Sequence, residues 1–150
     1  MTDIYRKLDV VDQFAEKVGE REAILRSCDL MVAYLAEAAK PLPAKAAHAL
    51  RLALKYKNGS AALAELEAER RAMMSGHGAW KRDDPEDCAI EALDAVLSFY
   101  VDPSWGGGAG EVVSNFWELM EVFDRNEERL LRLLKEYFSS LPRAAGEVAR

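Results

Sequence analysis

Apolar residues recur along the chain at steps of three and four, and no stretch alternates as a half-buried strand does. Ile4, Leu8, Val11 and Val18, with Phe14 beside them, predict a helix from about Asp3 to Val18, stopped by Gly19. A second helix is predicted from about Glu20 to Lys40 through Ile24, Cys28, Met31, Leu35 and Ala39. Pro41 and Pro43 break the chain and open a third, about Pro43 to Lys57, with Ala46, Leu50, Ala53 and Leu54 inward. Asn58 and Gly59 tolerate the left-handed conformation that ends a helix, and Ser60 offers an N-cap for a fourth, "AALAELEAERRAMM". After the loop "SGHGAWKRDD", Asp84 and Pro85 restart the chain as N-cap and first helical residue, with Glu86 and Asp87 at the positive end of the helix. This fifth helix buries Ala89, Leu93, Val96, Leu97 and Tyr100. The last runs from near Gly110 towards Phe138. Val112, Phe116, Leu119, Met120 and Phe123 line its first half, and Leu130, Leu131, Leu134 and Phe138 its second. The polar run "DRNEER" between them is where it kinks or splits.

Short connections between amphipathic helices favour antiparallel neighbours. The expected fold is all-α: a single-domain bundle of five to seven amphipathic helices with no sheet. It spans residues 1–140 and is followed by a flexible tail over 141–150. The "NGS" and "DDP" junctions also suit stacked helical hairpins, although no repeat period is visible.

Composition narrows the function. The longest apolar run, "LMVAYLAEAA", is interrupted by Glu37 and falls short of the ~20 residues of a membrane span. Acids among the first apolar residues argue against a secretory signal. Cys28 and Cys88 fall within helical patterns and read as reduced thiols of a cytoplasmic protein. A net charge of −6 disfavours nucleic-acid binding and leaves open a basic protein partner, or a homo-oligomer.

The stretch "VDPSWGGGAGE" places four glycines between Gly106 and Gly110, ahead of a helix. A phosphate loop would follow a strand and carry Lys-Ser/Thr, whereas here a helix precedes and Glu111 follows. The stretch reads as a helix–helix connection in which Trp105 packs down. Alternatively it is a mobile binding surface, with Trp105 as anchor, Asp102 and Glu111 in contact, and Glu118 and Glu121 as a charged rim.

The two histidines, His48 and His77, lack the Glu-x-x-His pattern of bundle metal sites, and no spacing supports a zinc site from Cys28, His48, His77 and Cys88. No cofactor motif is found. "RAMMSGH" resembles the Arg-x(4–6)-His motif of the all-helical HEPN ribonucleases, which makes Arg71 and His77 the catalytic pair of an alternative reading. Ala72 stands where that family usually has a polar residue, and the glycines flanking His77 place it in an exposed loop.

Lys45, His48, Arg51 and Lys55 share one face of the third helix. Between Glu111 and Glu128 six acids face one base, Arg125, and Glu111, Glu118, Glu121 and Glu128 fall near one stripe. Such stripes are commonly the solvated side of a helix. An acidic face beside the glycine stretch is also suited to docking something basic.

"AAHALRLALKYKNGSAALAELEAERRAM" resembles the Imm-5-like immunity proteins of bacterial polymorphic toxin systems, in which an Ala-rich helix ends at an aromatic-x-x-Gly break before a helix carrying Glu-Leu and a basic residue. Tyr56, Gly59, Glu65, Leu66 and Arg70 occupy those places, and the Ala-rich "PEDCAIEALDAVL" follows. The resemblance implies a cytoplasmic protein that blocks a cognate toxin without catalysis of its own. A regulatory or scaffold subunit of a larger complex is a third reading.

Overall fold

The computed structural model describes residues 4–105 and 108–138. Over these residues the chain is an all-α bundle, with no strand among them. A single turn, α1 (Ile4–Lys7), precedes α2 (Asp9–Val18), α3 (Glu20–Ala36), α4 (Ala44–Lys57), α5 (Leu63–Met74) and α6 (Pro85–Val101). A short 3-10 turn (Pro103–Trp105), α7 (Ala109–Phe123) and α8 (Glu127–Phe138) complete the fold. The tail expected over 141–150 lies outside the described residues.

Each difference from the predicted boundaries has an identifiable hydrogen-bonding cause. The first helix is two, because Leu8 N–H bonds to the Tyr5 carbonyl three residues back and tightens the turn. The second ends at Ala36 instead of Lys40. Glu37 and Ala38 bond three residues back, and the Ala39 N–H leaves the helix for the Asp124 carboxylate at 3.2 Å. Ala39, expected inside, is therefore exposed. Ser60 does not cap the fourth helix. With Gly59 at φ 82°, Ser60 N–H reaches back to the Lys55 carbonyl and Gly59 N–H to Tyr56, so both belong to the end of α4. The α5 helix starts at Leu63, where the Glu65 side chain accepts from Ala62 N–H. Gly19 ends α2 at φ 99°, as its position predicted.

The core forms where α3 and α6 meet the surrounding helices. Its largest members, Trp117, Tyr34 and Phe14, are fully buried or nearly so. Tyr34 meets Phe116 and Trp117 edge-on, with centroids 5.5 and 6.2 Å apart. Cys28 and Cys88 are free and buried.

The long last helix divides at residues 124–126, and Tyr34 is the reason. Its hydroxyl donates to the Asp124 carbonyl at 2.5 Å and accepts from Asn126 N–H at 2.9 Å. Burial pushes the phenol's pKa up to about 12. The Asn126 side chain then accepts from Arg129 N–H and caps α8. The buried Arg129 guanidinium lies 4.7 Å over the Tyr34 ring and donates to Asp124 Oδ2 at 2.8 Å.

Candidate functional site

The glycine stretch is placed by carboxylates from the other end of the chain. Gly108 has an extended conformation before α7, while Ala109 and Gly110 already belong to its first turn and are buried. Ala109 N–H donates to Glu20 Oε2 at 3.0 Å, and Gly110 N–H to Asp12 Oδ1 at 3.0 Å. The anion that a helix N-terminus attracts is thus supplied internally, by α2 and α3. Gly110 is required for it: a Cβ there would fall 2.6 Å from Asp12 Oδ2. The expected mobile loop over Gly106–Gly110 is corrected for Ala109 and Gly110, which form the first turn of α7 with their N–H groups bonded to Glu20 and Asp12. Gly106, Gly107 and the Trp105 side chain lie outside the described residues, so the anchor role falls there too. Asp102 accepts from Ser104 N–H at 3.1 Å and from its hydroxyl at 2.5 Å, which closes the 3-10 turn.

This arrangement predicts a sign reversal. Gly110→Ala displaces the Asp12 cap and should destabilise the wild-type background by about 1 kcal/mol. In an Asp12→Ala background the same change should be neutral or stabilising, since alanine is the better helix former by up to about 1 kcal/mol. Urea unfolding of the four proteins checks it.

Glu111, Glu118 and Glu121 are exposed on the outer side of α7. None of them forms an ion pair with a described residue. Many other acids do: Glu37 pairs with Arg132, Glu69 with His48, Asp94 with Arg70, and Asp124 with Arg129. Tyr5, 45% exposed, sits within the field of Glu121 and Glu118, and its pKa is raised by desolvation first and by these two carboxylates next.

Beside this face, α6 and α7 leave a groove of about 490 Å³ between them. Its floor is apolar, from Met31, Ala95, Phe99, Phe116 and Leu119, and Glu91 and Glu118 edge it. Leu119, which the periodicity placed in the core, is half-exposed here. Trp80, Lys81 and Arg82 close one end. Asp87 holds that loop by accepting from Lys81 N–H at 2.9 Å, and the Cys88 thiol donates to the Arg82 carbonyl at 3.3 Å. The Cys88 pKa is raised by burial and by the neighbouring Glu91, Asp84, Asp87 and Asp83 carboxylates, so at neutral pH it is a thiol and a poor nucleophile.

Arg71 and His77 are engaged separately. Arg71 is exposed and bonds Glu67 one turn back on α5 at 2.5 Å. His77 is not the exposed loop histidine expected. Its side chain is only 12% exposed, stacked on Trp80 at 4.2 Å with Nε2 3.5 Å from Asp87. His48 pairs with Glu69, and the Cys28 thiol contacts the Val96 carbonyl, so both are engaged apart from the 77–88 segment that holds His77 and Cys88. No cluster of three or more His, Cys, Asp or Glu side chains suited to a metal occurs among the described residues. Lys45, His48, Arg51 and Lys55 are all exposed on α4. Of the residues in the immunity-protein resemblance, Leu66 is fully buried and Arg70 ties α5 to Asp94 of α6 at 2.6 Å.

The fold and this surface define a helical bundle with an acidic, grooved face, and no helix among the described residues is long and apolar enough to cross a membrane. The chain matches no protein-family model, no curated protein and no solved structure.

Proposed function

We propose that this chain is a small cytoplasmic protein-binding module without catalysis of its own, which docks a basic protein partner on the acidic face of α7. The observation that carries the reading is that Glu111, Glu118 and Glu121 are exposed together on one face of α7, with no ion pair to a described residue. Uncompensated carboxylates on one helix face create a directed field, which raises association rates with a cationic surface. Within this class the immunity-type reading is the specific one: the partner is a toxin whose basic surface is covered and blocked. The resemblance carried by Tyr56, Gly59, Glu65, Leu66 and Arg70 supports it.

The test is co-expression with the polypeptide encoded beside this chain's gene. Growth arrest by that polypeptide should be relieved by the wild-type chain. Relief should fail for the Glu111→Lys, Glu118→Lys, Glu121→Lys triple variant, whose thermal unfolding stays near wild type. The association rate of the purified pair should fall by about 10-fold or more at low salt, with a smaller change in dissociation. Equal binding by the triple variant would remove the acidic face from the reading.

A further inference from the structure

The groove between α6 and α7 has the form of an unfilled helix seat. Cys88, Glu91, Ala92, Ala95 and Phe99 fall at i, i+3, i+4, i+7 and i+11 along α6, and Val112, Asn115, Phe116 and Leu119 at i, i+3, i+4 and i+7 along α7. Each wall is therefore a single helix face. The α6 wall from Cys88 to Phe99 spans roughly 16 Å at 1.5 Å per residue, about three turns. Ala95 keeps the middle of that wall low, while Phe99 and Leu119 stay half-buried with nothing over them among the described residues. An element laid along such a seam would interdigitate with two helices at once.

The charges around the seam select the occupant. Glu91 stands on the α6 wall and Glu118 on the α7 wall, and neither has a cationic partner among the described residues. The cations are confined to one end, where Lys81 and Arg82 sit beside the start of α6. That end is fixed in place: Asp87 and Cys88 hold the loop's backbone, and His77 backs Trp80. A helix whose flanks are basic and whose C-terminal end points at Lys81 and Arg82 satisfies both sets of charges, since its carbonyl end is the negative pole. We infer that this seam receives an amphipathic helix of a partner protein, apolar where it meets Phe99 and Leu119 and basic where it meets Glu91 and Glu118. The inference rests on the reading of the chain as a protein-binding module and names the part of the partner that is bound.

The probe is a 14-residue capped peptide with leucine at i, i+3, i+4, i+7 and onward and lysine elsewhere, beside a control with glutamate for lysine. Titrated into the full chain, the Leu/Lys peptide should bind one-to-one and shift the amide resonances of Ala95, Phe99 and Leu119. The Leu/Glu control should bind at least 10-fold more weakly. Ala95→Trp fills the seam without changing charge and should weaken binding at least 10-fold. Leu119→Arg, at a half-exposed position, should do the same and serves if the first variant does not fold. Glu91→Gln with Glu118→Gln should flatten the salt dependence. The inference is overturned if shifts map away from the seam, if both peptides bind alike, or if both seam variants bind as wild type does. It is equally overturned if a second copy of the chain, or an aliphatic small molecule, takes the seam in place of the peptide. Should Glu111→Lys and Glu121→Lys abolish toxin relief while Ala95→Trp leaves it intact, the acidic-face reading stands and the seam does not.

Discussion

Replacing Arg129 with alanine should lower the unfolding free energy by about 3–5 kcal/mol, because Asp124 is left nearly buried without its cation. The side chains of this pair are 8% and 12% exposed, so water cannot replace the lost partner. Arg129 also lies over the Tyr34 ring, and Tyr34 bonds both sides of the break between α7 and α8. The loss is therefore packing as well as charge. Removing Asp124 in addition should recover part of it, and a double-mutant cycle by urea unfolding should give a coupling of about 1–3 kcal/mol. A loss below about 1 kcal/mol for the single change would mean that the corner is held by Tyr34 and Asn126 alone.

Trp117→Ala should cost a similar amount, about 3–5 kcal/mol, by emptying the centre of the core. Trp117 is wholly inaccessible, and its indole N–H has no hydrogen-bond partner among the described residues. Alanine and phenylalanine here both remove that donor and differ in the volume they leave empty. Trp117→Phe also loses volume, but it removes an unsatisfied donor whose burial costs about 1–3 kcal/mol. Phenylalanine should therefore be tolerated far better than the area change alone implies. Thermal unfolding checks it: a loss for Trp117→Phe as large as the deleted volume alone implies would show that the unsatisfied donor carries no cost. For a domain of ordinary stability, about 5–15 kcal/mol, the alanine variant approaches the limit of folding.

The helices themselves were legible because the apolar period is unbroken within each. Ile24, Met31, Leu93, Val96 and Phe123 are buried where the pattern put them. The ends were less legible, since they depend on groups far away in sequence: Asp124 draws off Ala39 N–H, 85 positions distant. Ser60 looked like a cap from its chemistry alone, but the left-handed Gly59 before it had already given it to α4. The carboxylates of α7 were readable by charge and spacing, and they are exposed. The groove was not read, although a sign of it was present. Around Ala92, Ala95 and Phe99 the α6 sequence carries more apolar surface than one buried stripe requires, and Leu119 does the same for α7. Nothing in periodicity says which of two apolar faces will lack a neighbour. The roles of Asp12 and Glu20 were hidden for the same reason as Asp124: their partners lie 98 and 89 residues away.

Those two carboxylates also impose an order of events on the growing chain. Since α2 and α3 leave the ribosome long before α7, the first helices wait with Asp12 and Glu20 hydrated and the apolar surface under α7 uncovered. Local pairs such as α4 with α5 and α6 with α7 can close early, but the contacts of α7 with α2 and α3 require a loop of nearly the whole domain. The acidic face is thus set against the first helices only after α7 has been made, so a chain cut before α7 cannot present it. A partner that requires Glu111, Glu118 and Glu121 in register therefore distinguishes the finished protein from its precursors.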